Sequence, residues 1–313
     1  MTKTANETSP FPDKVYKALL KKFKNELNKK LKGYYVWPFP LESLCGTGLT
    51  ECNKFKKTFE DFKDNPAKLT LEAKASVSKY LSDNRDKETY LKVAKWIIGE
   101  WGKINSVPKD DSLTELRETI EAKNDPNKYA DVIGFDGISS LSKVASFLDC
   151  AKYPVYDSRV AFTLNWLIFT ERWHEKDNGE MKFFRQPAAR NGDMDIHDQE
   201  TIFNLVYKNF AVGDEFYYPP RETYERYCQL LKGTCDYSKR PQSNYTSNNP
   251  GNKEISIGEL EMCLFSIAAR NKKNKLPCNY DSAEKGTNKY ITDEMDEILK
   301  PAFQKFRRKP HDK

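Results

Sequence analysis

The chain has 313 residues, 38% hydrophobic and 31% charged, with a formal net charge of +6, which places it among ordinary soluble globular proteins with room for one large or two modest domains. The longest apolar stretch, Val160 to Phe169, is interrupted by Asn165 and is far too short to span a bilayer, and MTKTANETSPFPDK at the N-terminus lacks the apolar core of a signal peptide. The small cationic excess permits a polyanionic partner without requiring one.

Seven cysteines, an odd number without closely spaced pairs, point to reduced thiols and a cytoplasmic setting. Cys45 and Cys52 lie seven apart, as do Cys228 and Cys235, and the only histidines are His174, His197 and His311. None of this has zinc-finger spacing.

In chain order, Val15, Leu19, Phe23, Leu27 and Leu31 recur every fourth residue among eight lysines between Lys14 and Lys32, predicting a basic amphipathic helix that Gly33 stops. The segment Tyr34–Glu42, with Pro38 and Pro40, is expected to be extended or turned. Helical spacing returns from Phe55, breaks at Asn65–Pro66, resumes over Thr70–Leu81 and again over Thr89–Trp101. The acidic run Lys109–Asp125 reads as a solvated helix leading to a loop at Asn124–Pro126. Beyond a polar segment from Glu171 to Asp198, further helices are expected over Pro220–Leu231 and Ser256–Ala269, with a Ser/Asn/Pro/Gly-rich loop between them. Met181–Phe184 alone tempts a strand assignment. The fold class is therefore mainly α.

The stretch from Gly134 to Val160 carries the chemistry. Gly134 and Gly137, three apart, predict a tight turn, and Ser139 or Ser140 is placed to cap a helix over Leu141–Leu148. Lys143 then falls in the first turn, where the helix dipole opposes a cation and a lowered pKa would suit an amine nucleophile. Pro154-Val155-Tyr156 runs extended into Asp157, the N-cap of the apolar helix that follows. On this pattern alone the plainer reading is favoured, with Lys143 an exposed helix lysine and Asp157 a capping residue worth about 1 kcal/mol.

Gly137-Ile138, Lys143-Val144-Ala145 and Pro154-Val155-Tyr156-Asp157 followed by Arg159-Val160 resemble the helix-hairpin-helix DNA glycosylases, in particular bacterial proteins similar to 8-oxoguanine DNA glycosylase. AKWIIGEWGKI, SKVASFLDCAKYPVYDSRVA, FRQPAARN and ELEMCLFSIA resemble segments of that group in the same order. The usual glycine-x-glycine hairpin is replaced here by Gly137 to Ser142.

The resemblance implies a helix-hairpin-helix glycosylase-like region over 131–313 with an N-terminal helical region over 10–130, the two able to form one continuous domain. It implies a DNA glycosylase, with or without abasic-site lyase activity, in which Lys143 attacks the sugar and Asp157 stabilises its developing charge. Gly134, Gly137, Ser139, Ser140, Arg159, Arg190 and Asn191 would contact duplex DNA bearing a flipped nucleotide. No metal or organic cofactor is implied. The alternative is a noncatalytic DNA-binding or interaction protein on the same scaffold, for example in a defence system.

Overall fold

The computed structural model describes residues 10–28, 35, 37–47, 52–122, 133–171, 173, 180–187, 214–240 and 254–270. Those residues form a mainly helical assembly, as the spacing predicts. The helices are α1 (Asp13–Asn28), α2 (Leu41–Cys45), α3 (Cys52–Phe62), α4 (Pro66–Asp83), α5 (Lys87–Trp96), α6 (Asp110–Glu121), α7 (Ile138–Leu148), α8 (Ser158–Thr170), α9 (Pro220–Ser238) and α10 (Ile257–Arg270).

Local chemistry sets several of these boundaries. Asn65 accepts the Lys68 amide at 3.3 Å while Pro66 occupies the first helical position of α4, a place where its missing N–H costs nothing. Asp86 caps α5 through the Thr89 amide at 2.7 Å, and Ser256 and Glu259 form a reciprocal capping box at the start of α10. The prolines at 38 and 40 keep residues 37–40 out of helix, and α2 begins directly after them.

Val15, Leu19 and Phe23 bury one face of α1, which packs on α9 and α10, while α4 packs on α7 and α8 on α10. One apolar core therefore runs through helices from both the 10–130 and the 131–313 region. The expected strand at Met181–Phe184 is only a single bridge, Phe183 to Tyr217. Buried Asn165 takes the place of a neighbouring strand there, donating to the Phe184 carbonyl and accepting its amide, each at 2.7 Å. That answers why an amide side chain interrupts the apolar run of α8: it satisfies a buried peptide that no sheet reaches.

No helix among the described residues is long and apolar enough to cross a membrane. Cys45 is disulfide-bonded, which corrects at that residue the expectation of wholly reduced thiols, whereas Cys150, Cys228 and Cys235 carry free thiols. Sequence spacing does not register the approach of sulfurs in space. The expected loop Tyr237–Lys253 is corrected at its start, where Tyr237 and Ser238 still belong to α9; its residues 241–253, the expected loop at 124–126, Arg190 and Asn191 lie outside the described residues.

Candidate active site

The expected turn before Lys143 is present but built differently. Gly134 has φ −59° and Gly137 φ −102°, so neither uses the positive-φ freedom that motivated the reading. The Gly137 amide donates to the Gly134 carbonyl at 3.0 Å, closing a 3₁₀ turn over Phe135–Gly137. The Gly137 amide is thus engaged within its own turn. The serine caps are corrected too: α7 begins at Ile138 with no side-chain cap, so Ser139 and Ser140 lie inside the helix, Ser139 half-buried and Ser140 buried. Gly134 is exposed and Gly137 half-buried.

With the helix starting earlier, Lys143 lies in its second turn and is only 5% exposed. Its ammonium stands 3.6 Å from Asp157 Oδ2 and donates to the Ser139 carbonyl at 3.3 Å. Burial, reinforced by the positive charge of Arg159, holds the amine below the ordinary lysine range, while Asp157 and Glu261 oppose that shift. The dominant cause is desolvation rather than the helix dipole invoked from sequence.

Asp157 does cap α8. Its Oδ1 accepts the amides of Arg159 and Val160, each at 3.1 Å, which leaves Oδ2 for Lys143. The carboxylate is 7% exposed as a residue and is fixed from two sides by groups of known position.

What presents Asp157 is an extended segment without a sheet, whose peptide groups are satisfied almost wholly by side chains. Tyr224 donates to the Pro154 carbonyl and Tyr227 to the Val155 carbonyl, both at 3.0 Å. Glu261 Oε2 accepts the Val155 amide at 2.9 Å. Ser142, the neighbour of Lys143, accepts the Tyr156 amide at 2.9 Å and donates to the Tyr156 carbonyl at 3.2 Å. Residues from α7, α9 and α10 thus converge on three consecutive positions, Pro154 to Tyr156, as a buried backbone requires. Burial drives the phenols of Tyr156, Tyr224 and Tyr227 well above their ordinary value, so they act as hydrogen-bond donors and not as acids.

The wall behind Lys143 comes from the end of α5, which widens into a π-helical turn over Ile97–Trp101, a feature frequent at functional sites. The turn closes at Gly102, where a Cβ would stand 2.8 Å from Lys143 Cδ and 2.7 Å from the Ile98 carbonyl oxygen. Lys103 follows with φ 53°. Glycine at 102 therefore makes room for the lysine stem.

The Trp101 carbonyl accepts the Trp37 indole N–H at 2.8 Å. The Trp37 ring and Phe265 together face the guanidinium of Arg159, whose central carbon lies 5.2 Å and 5.0 Å from their centres. Arg159 is half-buried and brings a second cation to the rim of the pair.

Phe183 and Phe184 are core residues at 4% and 0% exposure, and Arg185 is engaged by Asp214 at 2.7 Å and the Tyr218 carbonyl at 3.2 Å. Sequence reasoning missed Lys74 and Glu261, a buried pair at 3.0 Å. A signal was available: Lys74 falls on the helical face of Val77 and Leu81 in α4, and Glu261 on that of Ile257 and Leu264 in α10. A buried charge in such a stripe requires a partner.

Comparison of the chain with family models, with curated proteins and with solved structures finds no match in any of the three.

Proposed function

We propose that this chain is a DNA glycosylase in which Lys143 is the nucleophile and Asp157 its partner, with abasic-site lyase activity following from the covalent intermediate. The observation that carries the reading is the convergence of the Lys143 amine and the Asp157 carboxylate at 3.6 Å in a nearly buried site, on the two residues that the resemblance to helix-hairpin-helix glycosylases nominates. A buried amine held below its ordinary pKa supplies more of the neutral form, which alone can attack carbon.

In this mechanism a nucleotide flips out of the duplex, and the neutral Lys143 nitrogen attacks C1′ as the bond from C1′ to the base breaks. The base leaves with the bonding electrons and takes up a proton. Asp157 offsets positive charge on the sugar as it develops. The sugar ring then opens to a protonated imine, and loss of a C2′ proton expels the 3′ phosphate. The net charge of +6 and the cation Arg159 at the rim favour a polyanionic substrate.

One observation favours the noncatalytic alternative, a DNA-binding or interaction protein: the Gly137 amide is spent within its own turn, so the hairpin's phosphate grip would have to come from other groups. Borohydride reduction in the presence of duplex DNA carrying an abasic site separates the two. A covalent adduct with the wild-type chain, lost in Lys143→Gln while salt-sensitive DNA binding persists, supports the glycosylase. Binding without an adduct in the wild type supports the alternative.

A further inference from the structure

The pair Lys74–Glu261 is the most deeply buried ionic contact beside the site. Lys74 is 0% and Glu261 5% exposed, and the ammonium reaches both carboxylate oxygens, at 3.0 and 3.2 Å. The Lys74 ammonium also faces the rings of Trp101 and Phe147, at 5.4 and 5.9 Å. Burying such a pair is costly, and a well-packed apolar replacement is often as stable. A stability role therefore explains it poorly.

Glu261 does something an apolar residue could not. Its Oε2, already bound to Lys74, accepts the Val155 amide at 2.9 Å. That amide lies two residues before Asp157, in a segment with no strand among the described residues to take it.

We propose that Glu261, held in place and neutralised by Lys74, is a positioning residue that fixes the register of the Pro154–Asp157 segment and so delivers the Asp157 carboxylate to Lys143. The importance of that delivery for catalysis rests on the glycosylase reading above; the delivery itself does not. Without an acceptor at 261 the Val155 amide would be buried and unsatisfied, a penalty the segment relieves only by moving. Asp157 would move with it.

The charged and polar groups facing the Lys143 amine are the Ser139 carbonyl of α7, Asp157 and Arg159 at the start of α8, and Glu261 of α10. Lys74 of α4 faces Glu261, and Glu100 and Lys103 beside the π-helical turn are exposed. Because Asp157 favours the ammonium form of Lys143, its displacement lowers the pH at which the amine titrates.

The test compares two double variants that carry no charge at either position and differ in the acceptor: Lys74→Met/Glu261→Gln, which keeps an oxygen for Val155, and Lys74→Met/Glu261→Met, which does not. Both are expected to fold, since apolar replacement of a buried ion pair is commonly tolerated. The Lys143 titration is followed by NMR of ¹³C-lysine-labelled protein, the resonance being assigned by its absence in Lys143→Gln. The expected result is a midpoint lower in the Met/Met protein than in the Met/Gln protein by about half a pH unit or more, roughly a threefold change in protonation constant. Equal midpoints in the two would overturn the proposal and leave the pair as core filling. The measurement uses no DNA, so a wild-type chain that forms no adduct with abasic DNA would fail the glycosylase reading without deciding this one.

Discussion

Replacing Asp157 by Asn separates the two tasks of its carboxylate. Oδ1 caps α8 through the amides of Arg159 and Val160, and asparagine caps a helix nearly as well, so that loss amounts to a few tenths of a kcal/mol. Oδ2 faces the Lys143 ammonium at 3.6 Å, with side-chain exposures of 7% and 11%. At an effective dielectric of about 20 the gross attraction at that distance is about 5 kcal/mol. The variant recovers part of it, because Lys143, already depressed by burial, releases its proton more readily once the carboxylate is gone. A net destabilisation of about 2 kcal/mol is expected at about pH 6. The sign of the pH dependence follows directly. While Lys143 is charged in the wild type the pair contributes; as pH rises through the depressed Lys143 pKa the amine becomes neutral in both proteins. The difference between them should then shrink to the few tenths attributable to the cap. Urea unfolding of both proteins in parallel from about pH 6 to about pH 10 measures this difference, with other titrations common to the two. A gap that stays constant across the range would refute the assignment of the loss to a Lys143–Asp157 pair.

Gly102→Ala should destabilise the chain by about 1–3 kcal/mol in thermal or urea melts, because the new methyl meets both the Lys143 stem and a fixed carbonyl; an unchanged melt would show that the π-helical turn yields freely. Tyr227→Phe removes the donor to the buried Val155 carbonyl and should cost about 1–3 kcal/mol, whereas an exposed tyrosine such as one in a solvated loop would cost almost nothing. Burial pushes the thiols of Cys228 and Cys235 up to about 12, so at about pH 8 a thiol reagent should label them slowly in the folded protein and rapidly in urea. Their contribution to stability is full below the ordinary thiol pKa and is lost as pH rises through the raised value; rapid labelling of both in the native state would contradict their burial.

The long helices were legible because burial imposes a 3.6-residue period: Val15, Leu19 and Phe23 of α1 and Tyr224, Tyr227 and Leu231 of α9 sit on the faces their spacing predicts. Asp157 was legible as a cap because capping is a local relation between neighbours. Features set by distant partners were not. Lys74 and Glu261 are 187 residues apart, and nothing in either neighbourhood names the other. The π-helical turn at Ile97–Trp101 has the composition of an ordinary helix end, and the close approach of the Lys143 stem to Gly102 joins distant parts of the chain. The hairpin was misread because two glycines permit positive φ without requiring it, and here the turn closes with ordinary backbone angles. A lowered pKa for Lys143 was one of the readings its helix position left open, and the cause that lowers it, burial by elements far along the chain, could not be read locally.

The central claim, that Lys143 is the amine that attacks the sugar, is tested most directly by locating the residue that carries the adduct. Borohydride-reduced complexes with abasic-site duplex DNA, digested with nuclease and protease and sequenced by mass spectrometry, should place the sugar remnant on Lys143. The same residue should be found whether the complex is trapped at low or moderate salt. A remnant on Lys74, on the exposed lysines of α1 or scattered over several lysines, or no remnant at all, would contradict the account.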